Sequence, residues 1–337
     1  MMARVLVTGA AGFIGSHLCE ELLRRGYQVR GLDAFTTFYD PQRKHANLRE
    51  SLAHPMFELV IGDLLGEGLW EALDGVDAVA HLAGEPGVTS SWGASFGRYL
   101  DRNVLATQKL LEVVSARGVQ RLVYASSSSV YGNGADALRA RGEPRPASPY
   151  GASKLAAETL VGAYAQTHGL PAVSLRYFSV YGPRQRPDMA AHRFIEAMLA
   201  NQPLTLFGDG GQVRDFTYVD DVVEATVCAL VADLPPAAVF DIASGRPTSV
   251  ATLIGQLQEL VDGSSAMIER HDERPGDVPR TEGEIDATRL HLGWVPTTDL
   301  RTGLRRQLSW HRSNLAEEPV GEARPRTPVA VLPTGGA

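Results

Sequence analysis

Two short motifs, 141 residues apart, constrain the fold of this chain more than anything else in it. The first is Thr8-Gly9-Ala10-Ala11-Gly12-Phe13-Ile14-Gly15. It follows an apolar run with strand character and opens a helical pattern, so Gly9, Gly12 and Gly15 fall on a strand-to-helix turn. Glycine there lets the chain turn tightly and lets the backbone approach a pyrophosphate. The free N–H groups and positive end of the helix then face the phosphates. The spacing is GxxGxxG, and a lone glycine triplet is a weak signal. The second motif is Tyr150-Gly151-Ala152-Ser153-Lys154. It sets a phenol and an ammonium at i and i+4, on one helical face.

Composition narrows the class. Hydrophobic residues make up 44% of the chain and charged residues 21%, the balance of a globular enzyme. A net charge of −7 argues against an extended nucleic-acid or anionic-membrane surface. No apolar run is long enough to span a bilayer, and the first strand pattern leaves no room for a signal peptide, so a cytoplasmic location is expected. The only cysteines, Cys19 and Cys228, lie in apolar helical patterns and read as buried free thiols, with no metal site expected. Only three of the 32 basic residues are lysines: Lys44, Lys109 and Lys154.

Strand patterns at 4–8, 28–32, 57–61, 78–82, 121–125 and 172–177 alternate with helical ones at 12–25, 94–117 and 150–168. This β-α-β alternation predicts an α/β fold of Rossmann type, a doubly wound parallel sheet covered on both faces. Residues 1–182 read as a dinucleotide-binding domain that also carries the catalytic residues. Residues 183–314 read as a smaller substrate lobe, with some elements returning to the sheet. Residues 315–337, rich in Pro, Gly and Ala, read as a disordered tail.

Asp33 closes the second strand pattern. A carboxylate there accepts hydrogen bonds from adenosine ribose hydroxyls and repels a 2′-phosphate, which favours NAD over NADP. Asp63, after the third strand, reads either as an adenine contact or as a helix N-cap. At Tyr150, a neighbouring ammonium and a positive nicotinamide ring would lower the phenol below its ordinary pKa of about 10 and make it a general base.

With these residues in view, the chain resembles the extended short-chain dehydrogenase/reductase superfamily, in its nucleotide-sugar epimerase/dehydratase branch. The resemblance covers roughly residues 3–312 and rests on the glycine motif, Asp33, Gly62-Asp63-Leu64, His81-Leu82-Ala83, Asn103, the run from Ser126 to Gly132, Tyr150 with Lys154, and the run from Arg214 to Asp221. It implies a Ser127–Tyr150–Lys154 triad in which Tyr150 takes a sugar hydroxyl proton as hydride passes to NAD. It implies cofactor contacts from Gly9, Gly12, Phe13, Ile14, Gly15, Asp33, Asp63, Leu64, Leu82, Ala83, Asn103, Tyr150, Lys154 and Tyr177. Dehydratases of this branch carry an Asp-Glu pair before Val-Tyr-Gly and decarboxylases a Glu. Ser128-Ser129 stand there in this chain, which leaves 4-epimerisation.

Segments 33–41, 182–189 and 192–195 look like the UDP-glucuronate 4-epimerases. By that likeness Ser127, Ser128, Ser129 and Ser179 hold the sugar carboxylate, and Arg186 sits near the sugar. Arg214 and Arg274 would grip the UDP diphosphate, and Phe207 would stack on uracil. Without the likeness, the arginines read as surface ion pairs and Phe207 as a core aromatic. Two features depart from the pattern. Thr89 stands where relatives often have arginine, and Glu85 brings negative charge toward an anionic substrate. A UDP-glucose 4-epimerase is therefore the runner-up, then a UDP-glucuronate decarboxylase. A non-catalytic NAD-binding sensor is the reading from another class. Relatives pair through helices near 103–117 and 150–168, so a homodimer is expected.

Overall fold

A computed structural model describes residues 4–133, 143–261 and 266–316, together with 329–331; for 315, 316 and 329–331 it describes the backbone alone. Its centre is a parallel sheet of β1 (Arg4–Thr8), β2 (Gln28–Asp33), β3 (Phe57–Ile61), β4 (Ala78–His81), β5 (Arg121–Ser127), β6 (Ala172–Tyr177) and β11 (Val239–Ile242). The strand order is 3-2-1-4-5-6-11. That is the doubly wound order, whose ligand crevice lies beyond the carboxyl ends of β1 and β4, where the winding reverses. The strands carry apolar residues on both faces because helices cover both faces. In β1, Val5 and Val7 point into one core, with Leu18, Cys19 and Leu22 of α1 (Phe13–Arg24). Leu6 points into the other, with Leu110, Leu111 and Val114 of α6 (Ala106–Arg117) and Ala157 and Val161 of α7 (Pro149–His168). Each such aliphatic side chain contributes roughly 1.5–3 kcal/mol on burial.

Local chemistry sets the helix ends. Ser148 caps α7 by accepting the Gly151 N–H at 3.1 Å, with Pro149 in the first turn and Gly169 closing the helix at φ +65°. Gly118 ends α6 in the same way, at φ +64°. Between β2 and β3 lie α2 (Pro41–Asn47), capped by Asp40, and α3 (Arg49–Ala53); neither has an expected counterpart in the sequence pattern. The short α4 (Leu69–Ala72) precedes β4.

The helix expected over 94–117 is broken. A 3₁₀ turn leads into α5 (Phe96–Tyr99), then a π-helical stretch over Leu100–Leu105, before α6 begins. The physical reason is Asn103, which sits in the widened turn and spends its side chain on neighbouring elements, as set out below.

Beyond β6 come the short strand β7 (Val180–Tyr181), α8 (Ala190–Leu199), β8 (Leu204–Phe207), β9 (Val213–Arg214) and β10 (Thr217–Tyr218). Then follow α9 (Val219–Val231), β12 (Thr248–Ser249), α10 (Val250–Leu260), β13 (Ile268–His271), α11 (Asp286–Leu292) and α12 (Leu300–Ala316). β8 pairs with β13, β9 with β12 and β7 with β10, as three two-stranded ribbons outside the main sheet. α9 shares the core of α1, and β11 extends the main sheet. Of the tail expected to be disordered, α12 reaches Ala316, and β14 (Val329–Val331) runs parallel to β3 as an eighth strand. An open edge strand offers unpaired N–H and C=O groups to such an addition. The remainder of that expectation lies outside the described residues. Cys19 is buried and Cys228 half-buried, both as free thiols.

Burial also fixes how stability responds to acid. His17 and His311 are each pushed down to about 4, and His81 to about 3, chiefly by desolvation. Their folded pKa values lie below the unfolded one, so the unfolded chain takes up protons first as pH falls through 6.5 toward 4. Each histidine then costs about 1.4 kcal/mol per pH unit in that window. Asp241, raised to about 7 by burial, works in the opposite direction and offsets one of the three. We predict that the urea midpoint falls steadily between neutral pH and pH ~5; a flat midpoint there would contradict the buried neutral histidines.

Candidate active site

The glycine turn is held by backbone packed on backbone. Gly9 has φ +70°, and a Cβ added there would lie 2.9 Å from the Ala83 nitrogen. A Cβ on Gly15 would lie 2.1 Å from the Gly9 carbonyl oxygen. Neither position admits a side chain, so α1 starts hard against the end of β1. Its N-cap, Gly12, has no capping side chain and its first turn has no acid, which leaves the N–H groups facing outward.

These residues open onto a cavity of about 480 Å³ that runs along the carboxyl ends of the strands. Its lining includes Gly9, Gly12, Phe13, Ile14 and Gly15 from the turn; Asp33, Asp63 and Leu64 from the ends of β2 and β3; and Leu82, Ala83 and Asn103. Ser127, Ser128, Ser129, Tyr150, Lys154, Tyr177, Ser179, Arg186 and Arg214 line the rest. Phe207 and Arg274 are not among the lining residues. They stack on each other, with the guanidinium 3.4 Å from the ring centroid.

Asp33 is buried at the end of β2. One carboxylate oxygen accepts the Ala11 N–H at 3.0 Å and the other the Phe35 N–H at 2.8 Å. Lys44 lies 3.7 Å away, itself buried, and donates to Thr36 Oγ1 at 3.2 Å. Sequence reasoning counted Lys44 only as one of three lysines; its scarcity was the available signal. A buried carboxylate and ammonium side by side can donate to and accept from vicinal ribose hydroxyls. The cradle that a Cβ would fill, the outward N–H groups and Asp33 together fit a dinucleotide. Asp63 uses one oxygen on the Leu65 N–H at 3.0 Å, in the manner of a turn or cap, and the other on Arg102 at 3.3 Å.

Asn103 plays a different part. Its amide donates to the Glu85 carbonyl at 3.0 Å and to Ser153 Oγ at 2.9 Å, and its oxygen accepts the Glu85 N–H at 2.7 Å. Its side chain thus ties the loop after β4 to α7. Buried His81 adds a second tie. Thr107 donates to the Asn103 carbonyl at 2.7 Å and receives His81 Nε2–H at 3.0 Å. His81 Nδ1 then accepts from Thr8 Oγ1 at 2.7 Å, which fixes the neutral Nε2–H tautomer.

Tyr150 and Lys154 face the cavity from the first turns of α7. Lys154 Nζ donates to the Ala125 carbonyl at 2.5 Å and sits 4.4 Å over the Tyr124 ring. Burial pushes it down to about 7, opposed by Glu158. The expected lowering of Tyr150 by Lys154 is not what these residues produce. Burial raises the Tyr150 phenol, and the groups that oppose burial are the Ser127 hydroxyl and Arg186. Tyr99, whose hydroxyl donates to the Pro86 and Gly87 carbonyls at 2.9 and 3.0 Å, packs edge-on against Tyr150.

The remaining charged groups of the lining are paired. Arg186 makes two 3.0 Å bonds to Asp188, and Arg214 pairs with Asp277, which also lines the cavity. Glu85 lies in the lining but is not a free charge, with Arg98 at 3.8 Å and Arg102 at 4.0 Å. Thr89 lies in the turn just beyond the lining residues Pro86, Gly87 and Val88. Away from the cavity, His192, Glu196 and His311 bring possible ligand atoms within 4.8 Å of one another. Arg43 already donates toward His192 at 3.2 Å and Glu196 at 3.4 Å, so a positive charge stands where a cation would need to be. No helix among the described residues is long and apolar enough to cross a membrane.

A dinucleotide cradle beside a half-buried phenol and a buried ammonium and hydroxyl can move a proton and a hydride at one carbon. Comparison with known proteins agrees. Residues 5–243 match the model of the NAD dependent epimerase/dehydratase family. The chain is 40% identical to an uncharacterized UDP-glucose epimerase, YtcB, of Bacillus subtilis, over 91% of this chain and 97% of that one. It is 35% identical to a UDP-glucuronate 4-epimerase of Thermodesulfobacterium geofontis, over 93% and 98%. The crystal structure of a UDP-glucuronic acid 4-epimerase from Bacillus cereus, in complex with UDP-glucuronic acid and NAD, superposes with a TM-score of 0.89. That protein is 40% identical, over 92% of this chain and 99% of its own. With its glycine cradle, doubly wound sheet and Tyr–Lys helix, the chain belongs to the NAD-dependent epimerase/dehydratase family.

Proposed function

We propose that this protein is an NAD-dependent UDP-sugar 4-epimerase, an isomerase, and that its substrate is UDP-glucuronate, converted to UDP-galacturonate. The observation that carries the uronate reading is the lining around the catalytic pair. Ser127, Ser128, Ser129 and Ser179 all border the cavity beside Tyr150 and Lys154. With Ser127 turned to the reacting oxygen, the hydroxyls of Ser128, Ser129 and Ser179 offer hydrogen bonds to a carboxylate without a charge that would draw it out of place. A 4-keto uronate is a β-keto acid, prone to lose CO2. Hydrogen bonds that hold the carboxylate near the ring plane keep the breaking bond out of line with the ketone. Ser129, where decarboxylases carry an acid, fits the same reading. The pairing of Glu85 with Arg98 and Arg102 removes the objection that its charge would repel an anionic sugar.

In this reading Tyr150 takes the proton from the sugar 4-hydroxyl, with Ser127 hydrogen-bonded to the same oxygen. Lys154 holds the ribose and supplies positive charge beside the phenol. Asp33 and Lys44 take the adenosine ribose, and the turn from Gly9 to Gly15 takes the pyrophosphate. NAD, when bound, would supply a reversible hydride acceptor for C4, and its cationic ring would join Ser127 and Arg186 in opposing the rise that burial imposes on Tyr150. Arg214 would meet the UDP diphosphate by exchanging Asp277 for phosphate oxygens. Residues 1–182 serve as cofactor domain and 183–314 as substrate lobe. A UDP-glucose 4-epimerase is the second reading, supported by the name of the Bacillus subtilis relative.

Proton NMR of the purified enzyme with UDP-glucuronate, and separately with UDP-glucose, tests the proposal. We expect UDP-galacturonate without loss of CO2, and no turnover in Tyr150→Phe although NAD remains bound. Conversion of UDP-glucose alone would replace the uronate reading, and normal turnover by Tyr150→Phe would remove Tyr150 as the base. In Ser179→Ala we expect more CO2 release or a KM raised roughly ten-fold, the loss of about one hydrogen bond to a charged group; if both stay unchanged, Ser179 does not hold the carboxylate. A homodimer through α6 and α7 is supported by Leu100 and Leu105, which lead into α6 and leave 43% and 45% of their surface exposed. A monomer by light scattering at micromolar concentration would refute it.

A further inference from the structure

Glu158 lies one helical turn beyond Lys154 on α7, buried in the protein interior, and the reaction scheme above gives it no part. A buried carboxylate is costly unless each oxygen is paired. Here both are. Oε2 accepts the Ser126 hydroxyl at 2.5 Å and Arg176 Nε at 3.0 Å, and Oε1 accepts Arg176 Nη2 at 2.5 Å. Ser126 stands immediately before Ser127 on β5, and Arg176 immediately before Tyr177 on β6. One carboxylate thus fastens the helix carrying Tyr150 and Lys154 to both strands carrying their partners. The chain of bonds continues outward. Arg176 Nη1 donates to the Tyr131 hydroxyl at 2.7 Å, which donates to Asp241 Oδ1 at 2.8 Å. Asp241 Oδ2 accepts the Glu284 N–H at 3.1 Å, on the segment leading into α11.

The surroundings of Lys154 single out Glu158. From α7 itself Lys154 is flanked by Tyr150 and Glu158. From β5 it meets the Tyr124 ring and the Ala125 carbonyl, and from β4 neutral His81. Of these, Glu158 alone carries negative charge, while Arg176 and, beyond Tyr131, Asp241 lie on its far side. We propose that Glu158 is a positioning residue for the epimerisation: it holds Ser127 and Lys154 in register across β5 and α7, and its charge keeps the Lys154 ammonium protonated in the working enzyme. The proposal rests on the roles given above to Ser127, Tyr150 and Lys154. Removing the charge lets burial carry Lys154 below its value of about 7, so the ammonium is lost at a lower pH.

The test measures kcat and KM of the NAD-loaded enzyme against pH, using the UDP-sugar that the wild type epimerises. We expect Glu158→Gln to lower kcat about ten-fold with little change in KM. The alkaline fall in kcat should also move down by about one pH unit. Glu158→Asp, which keeps the charge, should restore the position of that fall. Bound NAD and melting temperature report whether each variant is folded. A folded, NAD-loaded Glu158→Gln with the wild-type profile overturns the proposal. So does a loss of kcat that is uniform across pH, which marks a brace and nothing more. Should Glu158→Gln not fold, Ser126→Ala decides, with a smaller shift in the same direction expected and an unchanged profile fatal. Tyr150→Phe, run beside them, separates the two readings. If it is active, the catalytic assignment fails whatever Glu158 does. If it is dead while Glu158→Gln is normal, only the role of Glu158 fails.

Discussion

The site depends on a contact in which no side chain takes part, the approach of the Gly15 backbone to the Gly9 carbonyl. With 2.1 Å between that oxygen and the place a Cβ would take, α1 can begin directly above β1. The N–H groups of its first turn are thereby delivered to the crevice where the sheet reverses its winding. Gly9 in turn leans on the backbone of Leu82 and Ala83, so the same contact sets the end of β4. Everything further along the cavity is measured from there: Asp33 on one side of β1, and Ser127 and the Tyr–Lys helix on the other.

Around this frame the protein keeps several charges out of water and pairs them. Asp33 has Lys44, Glu158 has Arg176, and Glu85 has Arg98 and Arg102. Pairs of this kind add little net stability, because desolvation cancels much of the attraction. Their effect is on geometry and on protonation. Lys154, desolvated yet beside a carboxylate, is poised near neutrality, while His81 in the same interior is kept neutral chiefly by desolvation, its two ring nitrogens paired with threonine hydroxyls.

Much of this architecture is legible along the chain. The six main strand patterns, the turn from Gly9 to Gly15 and the helix that starts at Ser148 follow from apolar period, glycine position and capping chemistry, all local. Asp33 and the Tyr150–Lys154 pair are legible for the same reason, since each is placed by its own element. The π-helical turn at Leu100–Leu105 is not. It exists because Asn103 reaches residues 18 and 50 positions away, Glu85 and Ser153, and no local pattern encodes that. Phe207 and Arg274, 67 positions apart, stack on each other, a contact equally illegible in any local pattern.

What the sequence by itself determined is the order of strands and helices, the dinucleotide cradle and the presence of one phenol, one ammonium and a run of hydroxyls at the strand ends. These follow from spacing over a few residues. Tertiary structure alone decided the protonation around them, the raised phenol of Tyr150, the lowered ammonium of Lys154 and the neutral His81. The physical reason is that a pKa depends on desolvation and on charges within a few ångströms, and in this fold those neighbours come from strands and helices far apart in the chain.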